Sequence, residues 1–254
     1  MAKTKGEFEV GQPYLISNGF WQTCLKDKGN LLAVYLHLRT RKLSNTIGDS
    51  GVTYVTCGKH LCAAIGKEDN YPAFVAARNA LAVLIEHSKE LCGTEMHLVE
   101  PQDMQRLRTD AYIQVHEQNR DYMQGFCEIF PGEVQAILES DFKRKPDLSI
   151  VFFTIVSRIR PRKSGDDPKE RPEACSISVR ILCEFTGLSE LRVSKAVREL
   201  KKLGVLCALT PTFPSRKDGN YVSLNTVYAR GGHEDELNAK VKLLIHGKKT
   251  DLDF

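Results

Sequence analysis

Residues 176–224 read SISVRILCEFTGLSELRVSKAVRELKKLGVLCALTPTFPSRKDGNYVSL, and this stretch decides the fold of the C-terminal half. A short strand is predicted first, followed by a helix that breaks around Gly187. Ser189 then begins a second helix, because its hydroxyl can accept a free backbone N–H of the first turn. That helix is predicted to end at Gly204, where a residue with positive φ is expected.

The second helix of this stretch separates apolar from basic residues. Apolar side chains recur at helical spacing and predict one buried stripe: Leu191, Val193, Ala196, Val197, Leu200 and Leu203. The positions off that stripe are polar and mostly basic: Glu190, Arg192, Ser194, Lys195, Arg198, Lys201 and Lys202. A helix with such a solvent side is suited to phosphates and base edges.

Two apolar runs after Gly204 predict a hairpin. Residues 205–209 and 221–224 are interpreted as its strands, and the polar segment 211–220 as its loop. Asp-Gly-Asn marks the turn, and Arg216 and Lys217 are expected to project from the tip towards a groove or a nucleic-acid backbone.

This order of strand, helix, turn, helix, strand, loop and strand resembles a winged helix-turn-helix. The resemblance implies that the second helix enters the major groove of duplex DNA, with the hairpin tip beside it. The alternative is an ordinary amphipathic helix and hairpin with a solvated charged face. DNA binding is favoured because the helix-turn-helix, Gly204 and the basic hairpin tip agree in register.

Charge is distributed unevenly along the chain. The net charge is +4, but residues 141–230 hold 18 Lys and Arg against 10 Asp and Glu, a net of +8. The remainder has 18 Lys and Arg against 22 Asp and Glu, a net of −4. Positive potential is therefore concentrated on the half that carries the helix-turn-helix pattern, as a DNA-facing surface requires.

Length and composition predict two globular domains. The 254 residues are 42% apolar and 27% charged, which are ordinary globular values. The sequence has neither a membrane-spanning apolar run nor a signal-peptide core, so a cytoplasmic protein without membrane contact is expected. The eight cysteines are interpreted as buried free thiols. Their spacing relative to histidine is irregular for zinc, so neither a metal nor another cofactor is expected.

A related order of elements occurs earlier in the chain. A helix, a strand, a short helix, a longer helix and a hairpin are predicted in turn at residues 30–42, 50–56, 59–65, 73–87 and 91–99, with Gly66 closing the short helix. The second copy begins with a helix at residues 149–160, and a polar insert follows the first helix in both copies. The match is one of pattern, and it indicates an internal duplication.

The longer helix of the first copy differs chemically from its counterpart. It is rich in alanine, and Arg78 is its one basic residue over the first three turns. Two interpretations stay open. The first copy either touches DNA weakly, with Lys59, Lys67, Arg78 and Asn79, or forms a dimerisation surface, which the apolar side chains of Phe74 and Val83 favour.

The predicted fold class is mainly α with small β-hairpins (α+β), arranged as two winged helix-turn-helix domains in tandem. The expected domains are an N-terminal winged-helix-like domain at 1–100, a connector at 101–140, a basic winged-helix domain at 141–232, and a C-terminal helix and tail at 233–254. Apolar residues at helical spacing make the last helix a candidate for dimerisation or docking: Leu237, Val241, Leu244 and Ile245.

The expected DNA-binding residues come from four places in the sequence. They are Ser189, Glu190, Arg192, Ser194, Lys195, Arg198 and Lys202 of the basic helix, Arg216, Lys217 and Asn220 of the hairpin tip, Arg158 and Arg160 before the second insert, and Arg78, Asn79 and Lys67 of the first copy. Catalytic residues are not expected, because phosphate-binding glycine loops, a nucleophile elbow and a histidine cluster are missing from the sequence. The chain is therefore not expected to be an enzyme.

Two winged helices with the more basic one second resemble plasmid replication initiator proteins of the RepA/RepB type. That resemblance implies that the C-terminal module reads DNA sequence, while the N-terminal one dimerises or makes auxiliary contacts. The expected function is sequence-specific binding of double-stranded DNA as a replication initiator or origin-binding protein of a plasmid or phage. A homodimer or higher assembly on DNA is expected, with replication or transcription machinery as further partners. Two alternatives stay open: a dimeric transcriptional regulator, and a tandem winged-helix assembly protein that binds other proteins.

Overall fold

The chain was analysed as a computed structural model. It describes residues 8, 11–22, 25, 27–43, 51–67, 70–100, 103–104, 108–118, 125–161, 165–167, 169–214 and 221–251. Two compact units are present: an N-terminal unit, Gly11–Ile150, and a C-terminal unit, Val151–Phe254 together with Met1–Val10. Both combine helices with small antiparallel sheets, so the predicted α+β class is confirmed.

The N-terminal unit is built around two small sheets. Its elements in chain order are β1 (Tyr14–Ser17), α1 (Gly19–Gln22), α2 (Lys28–Arg39), β2 (Val52–Cys57), α3 (Gly58–Ala64), α4 (Tyr71–Glu86), α5 (Ser88–Cys92), β3 (Glu95–Leu98), β4 (Tyr112–Gln118), β5 (Phe126–Ile129) and α6 (Pro131–Leu138). Strand β4 lies between β2 and β3 in one antiparallel sheet. Strand β1 pairs with β5 in the other.

Local signals account for the helices of this unit. Residues 31–38 of α2 are all buried, so this helix forms the centre of the core. Helix α4 begins after Asn70, whose side chain accepts the Ala73 N–H at 3.0 Å, and Pro72 lies in its first turn. Gly66, which the sequence predicted to close the short helix, follows α3 with φ 69.

The predicted hairpin at residues 91–99 is wrong. Leu91 and Cys92 are fully buried in helix α5, and β3 pairs with the distant strand β4. Burial of Leu91 stabilises the helical turn of α5. Strand β3 then pairs with β4, which follows it in the sequence after a long connection, and not with the residues just before it. Residues 101–140, expected as a connector, supply β4, β5 and α6 to this unit, and Ile113 and Val115 of β4 are fully buried in its core.

The second series of elements begins at α7, within which the boundary between the units falls. Its elements are α7 (Lys145–Val156), β6 (Ala174–Ser176), α8 (Val179–Thr186), α9 (Glu190–Lys202), β7 (Leu206–Leu209), β8 (Thr212–Pro214), β9 (Tyr221–Ser223), β10 (Val227–Arg230) and α10 (Glu234–Asp251). Strand β10 lies between β6 and β7, and β8 pairs with β9.

The two series repeat one topology. Each runs through a helix, a strand, consecutive helices (three in the first series, two in the second) and two strands that share a sheet with the first strand. In the second series the separate pair β8–β9 lies between those two strands in sequence. The last of those strands lies in the middle of the sheet, in the orders β2-β4-β3 and β6-β10-β7. The similarity between the two series thus extends from the order of elements to the pairing of strands.

The strand pairing of the predicted C-terminal hairpin differs from the expectation. Strand β7 pairs with β10, whereas Tyr221–Ser223 pairs with Thr212–Pro214, which lies inside the predicted loop. The prediction missed β10 altogether. Val227, Tyr228 and Ala229 are buried, and burial of this apolar run fixes the register of the sheet.

Helix α10 packs on this sheet. Apolar residues of strands and helix form one cluster: Ala174, Val227, Ala229 and Leu237, with Cys207, Val241 and Leu244 packed against it. Part of the apolar side of α10 is therefore covered within its own unit, and the role of this helix in dimerisation or docking stays a prediction.

Candidate nucleic-acid interface

A tight turn joins α8 to α9. Gly187 takes φ 71, a left-handed conformation that favours glycine, and the Thr186 hydroxyl donates to the Leu182 carbonyl at 2.7 Å. Gly204 takes φ 75 just after α9. The predicted break at Gly187 and the positive φ of Gly204 are both confirmed, and together they delimit α9.

One side of α9 is packed and the opposite side is open. Val193, Ala196 and Leu200 are buried. The residues about half a turn away from them are exposed, and together they form what we call the α9 outer face: Leu191, Ser194, Lys195, Arg198 and Lys202. Helix α9 thus presents basic side chains on the side opposite to its packed residues.

Leu191 was expected in the packed stripe, and that prediction is wrong. Its side chain is 65% exposed. Leu191 precedes the buried Val193 by two residues, which is about 200° around the helix, so the two side chains point in nearly opposite directions. Val197 and Leu203, also expected in the stripe, are half-buried at its margins.

Lys195 and Arg198 are the basic residues of the α9 outer face that make no ion pair or hydrogen bond within the described part of the chain. Lys202 differs, because its Nζ lies 3.3 Å from Glu199 Oε1. Lys201 Nζ donates to the Ala208 carbonyl at 3.1 Å. An incoming anion could therefore bind Lys195 and Arg198 without displacing an internal partner.

The first turn of α9 carries three further predicted contacts. Ser189 and Glu190 are exposed, and Arg192 is half-buried. Ser189 precedes the helix with extended backbone, but its hydroxyl makes no capping hydrogen bond, so that part of the prediction is wrong. The Ser189 carbonyl accepts the Val193 N–H at 3.0 Å.

The hairpin tip, residues 215–220, lies outside the described residues, and so do the predicted contacts Arg216, Lys217 and Asn220. The strands that flank it are described. Thr212–Pro214 pairs with Tyr221–Ser223, so the ladder extends up to the residues next to the tip.

Arg158 and Arg160 follow α7 and differ in accessibility. Arg158 Nη1 donates to the Thr154 carbonyl at 2.9 Å, and the Arg158 guanidinium carbon lies 4.1 Å from the centroid of the Phe185 ring. Burial lowers the pKa of Arg158 from its ordinary value, although a guanidinium stays charged. Arg160 is exposed, so it is the more accessible of the two for a phosphate.

A cavity of about 630 Å³ lies beside these arginines. Charged side chains of both signs line it: Arg158, Arg160, Arg171, Lys240, Asp166 and Glu170. Arg171 and Asp166 pair at 3.2 Å. Cys175 also lines the cavity, and burial raises the pKa of its thiol to about 12, which leaves it protonated and unreactive near neutral pH.

Helix α4 holds the position in the N-terminal series that α9 holds in the second. Lys67 and Asn79 are exposed, whereas Arg78 is half-buried with its guanidinium carbon 5.9 Å from the centroid of the Phe74 ring. Phe74 is 2% exposed because it packs against Gly58. The expectation that Phe74 contributes to a protein interface is therefore wrong.

Sequence reasoning missed a buried ionic network in the N-terminal unit. Arg39 Nη1 lies 2.9 Å from Glu117 Oε2, the Tyr35 hydroxyl donates to Glu117 Oε1 at 3.1 Å, and the Tyr54 hydroxyl also donates to the carboxylate. Burial and the Glu117 carboxylate raise the pKa of Tyr35 well above its ordinary value. The available signal was the spacing of Glu117 two residues after the buried Val115, which puts both on one side of β4.

A second polar site of the N-terminal unit surrounds His37. A cavity of about 480 Å³ is lined in part by His37, Arg41 and His60. His37 Nε2 lies 3.0 Å from Thr56 Oγ1. Burial, with smaller contributions from Arg41 and His60, lowers the pKa of His37 to about 4. The imidazole is therefore neutral at pH 7.

Two kinds of feature are absent from the residues that the structure describes: a metal-binding cluster and a membrane-spanning helix. Over those ranges, His, Cys, Asp and Glu side chains form no group of three that could hold a metal ion. The described helices include none with the length and apolar character needed to cross a membrane. Comparison with known proteins finds no family model, no curated protein and no solved structure that matches this chain.

Proposed function

We propose that this chain binds double-stranded DNA in a sequence-specific manner through two winged helix-turn-helix modules in tandem, with the C-terminal module as the main reader. The observation that carries the proposal is the α9 outer face. Lys195 and Arg198 project there from a packed helix, with no internal partner in the described ranges.

The physical argument rests on the match between this helix and the major groove. That groove admits one α-helix, and arginine and lysine recognise guanine edges there. Burial of Val193, Ala196 and Leu200 holds α9 against its unit, so the outer face is presented without further ordering. Phosphates beside the groove would then contact the hairpin-tip residues Arg216 and Lys217, and Arg160.

The difference in net charge between the two parts of the chain supports different roles for the two modules in DNA binding. Residues 141–230 carry a net charge of +8, against −4 for the remainder. In the N-terminal module, Lys67 and Asn79 are exposed but Arg78 is partly covered. This module would make auxiliary DNA contacts or bind another protein, while the C-terminal module supplies most of the affinity.

Within DNA-binding functions, we favour a replication initiator of a plasmid or phage. The repeated topology supports it, because two modules on one chain can bind two successive segments of an origin. A dimeric transcriptional regulator would instead bind half-sites spaced by about one helical turn.

The test is footprinting of the full-length chain on the DNA that flanks its own gene, at about 50 mM salt, where phosphate contacts are strongest. Protection of an array of direct repeats is the expected result. Protection of a single short palindrome would support the regulator. Failure to bind any duplex at this salt concentration would contradict DNA binding and favour a role in protein assembly.

A further inference from the structure

Leu191 is an apolar residue in the middle of a polar surface. It lies on the α9 outer face, four residues before Lys195 and seven before Arg198, so the three side chains follow one stripe. At 65% exposure it is the most exposed aliphatic side chain among the large hydrophobic residues that the structure describes. Neither the core of its unit nor a neighbouring helix covers it.

The position of Leu191 matters more than its exposure. A single exposed leucine needs no explanation by itself. Leu191 is the second residue of α9, however, and the first residues of a recognition helix are those that approach base edges. A leucine at that point can make no hydrogen bond to a base, so it can discriminate only by apolar contact.

The major groove offers one apolar group for such contact. Guanine, cytosine and adenine present hydrogen-bond donors and acceptors there, whereas thymine adds its 5-methyl group. Phosphates, which Lys195 and Arg198 can reach from the same stripe, are charged, and the deoxyribose carbons are the same at every base pair and so carry no sequence information. The chemistry that fits Leu191 on a DNA-facing helix is therefore a thymine methyl group.

We propose that Leu191 is a specificity-determining residue that packs on the methyl group of a thymine in the recognition site. This inference rests on the proposed function, since it requires α9 to lie in the major groove. Burial of one methyl group between leucine and base corresponds to about 0.8 kcal/mol, which is a change of about fourfold in affinity.

The test uses the full-length chain and a preferred duplex selected from a library of random double-stranded DNA. Each thymine of that duplex is replaced singly by deoxyuridine, which removes the methyl group and leaves every hydrogen-bonding group in place. We expect replacement at one or two positions to weaken binding about fourfold. In Leu191→Ala and in Leu191→Gln the same replacements should have no effect.

Leu243→Ala is the matched control, because Leu243 is also an exposed leucine on a helix of the same unit, at 40% exposure on α10. It should retain the full sensitivity to deoxyuridine. A parent chain that binds the duplex equally well with and without the methyl groups overturns the inference and leaves DNA binding intact. So does a Leu191→Ala chain that keeps the parent's sensitivity. A parent chain that selects no duplex at all overturns the proposed function itself.

Discussion

Arg39 and Glu117 form an ion pair inside the N-terminal unit, with Nη1 2.9 Å from Oε2 and side-chain exposures of 8% and 0%. Arg39 is the last residue of α2 and Glu117 is near the end of β4, so the pair joins the central helix to the middle strand of the sheet. Tyr54 accepts a hydrogen bond from Arg39 at 3.0 Å and donates one to Glu117. Hydrogen bonds from several sides are the condition under which a buried ion pair is tolerated.

Glu117→Gln is predicted to destabilise the N-terminal unit strongly. Removal of the carboxylate charge takes the Glu117 counter-charge away from the buried Arg39 guanidinium, a change that is expected to reduce the free energy of unfolding by about 3–5 kcal/mol. Urea unfolding followed by circular dichroism measures it. Glu184→Gln is the control, because Glu184 pairs with Arg180 on the surface and the loss there should stay below about 0.5 kcal/mol. Equal effects of the two variants would show that the buried pair is energetically unimportant.

The buried His37 predicts a specific loss of stability in mild acid. Its folded pKa of about 4 lies below the ordinary value of 6.5, so the unfolded state takes up a proton first as the pH falls. The contribution of neutral His37 is complete above pH 6.5 and decreases towards pH 4, by about 3 kcal/mol in total. In His37→Gln this loss should be absent. Unfolding free energies of parent and variant at several pH values between 7.5 and 4.5 provide the comparison, and a difference that stays constant over this range would rule the prediction out.

Gly231 is predicted to tolerate no side chain. A Cβ there would overlap the Gly204 carbonyl oxygen, which belongs to the turn that ends α9. Gly231→Ala should therefore lower stability by about 1–3 kcal/mol, as overpacked sites do. Gly247→Ala is the opposite case, because open space surrounds that residue in α10. It should raise stability by up to about 1 kcal/mol through helix propensity. Melting temperatures that shift in the same direction for both variants would contradict the structural difference between these glycines.

Removal of one basic residue from α9 should weaken specific DNA binding. Lys195→Ala is expected to reduce affinity for the selected duplex by about 1–3 kcal/mol if the side chain reads a base edge, and Arg192→Ala likewise. Fluorescence anisotropy on the selected duplex and on a scrambled one separates specific from general binding. Lys242→Ala, which removes an exposed charge from α10, should leave the specific affinity nearly unchanged. Parent-like binding by Lys195→Ala, Arg192→Ala and Arg198→Ala together would refute the assignment of α9 as the reading helix.

The hairpin tip is predicted to contribute equally to the binding of every DNA sequence. Arg216→Ala combined with Lys217→Ala is predicted to weaken binding of the selected and the scrambled duplex by the same factor. Because each phosphate contact contributes about 0.9 to the slope of log affinity against log salt, the slope should decrease in magnitude by about 2. A loss confined to the selected duplex would indicate that these residues read bases instead.

The limits of α9 were predictable because their causes are local. Gly187 adopts positive φ three residues before α9 begins and Gly204 does so two residues after it ends, and the period of Val193, Ala196 and Leu200 identifies the packed side. The basic character of the remaining positions is likewise a property of the sequence. These signals act over a few residues, so no knowledge of the rest of the chain was needed.

Burial and strand pairing depended on residues far apart in the chain. Leu191 lies outside the packed stripe, and Phe74 lies inside a core, because the neighbouring elements and not the composition of the helix decide what is covered. Strand β7 pairs with β10 because the buried run 227–229 completes the sheet. Arg39 meets Glu117 across 78 positions in sequence, and only the folded chain brings them together. Local conformational preferences therefore specified helix α9, while the long-range packing of its unit determined which side chains it exposes.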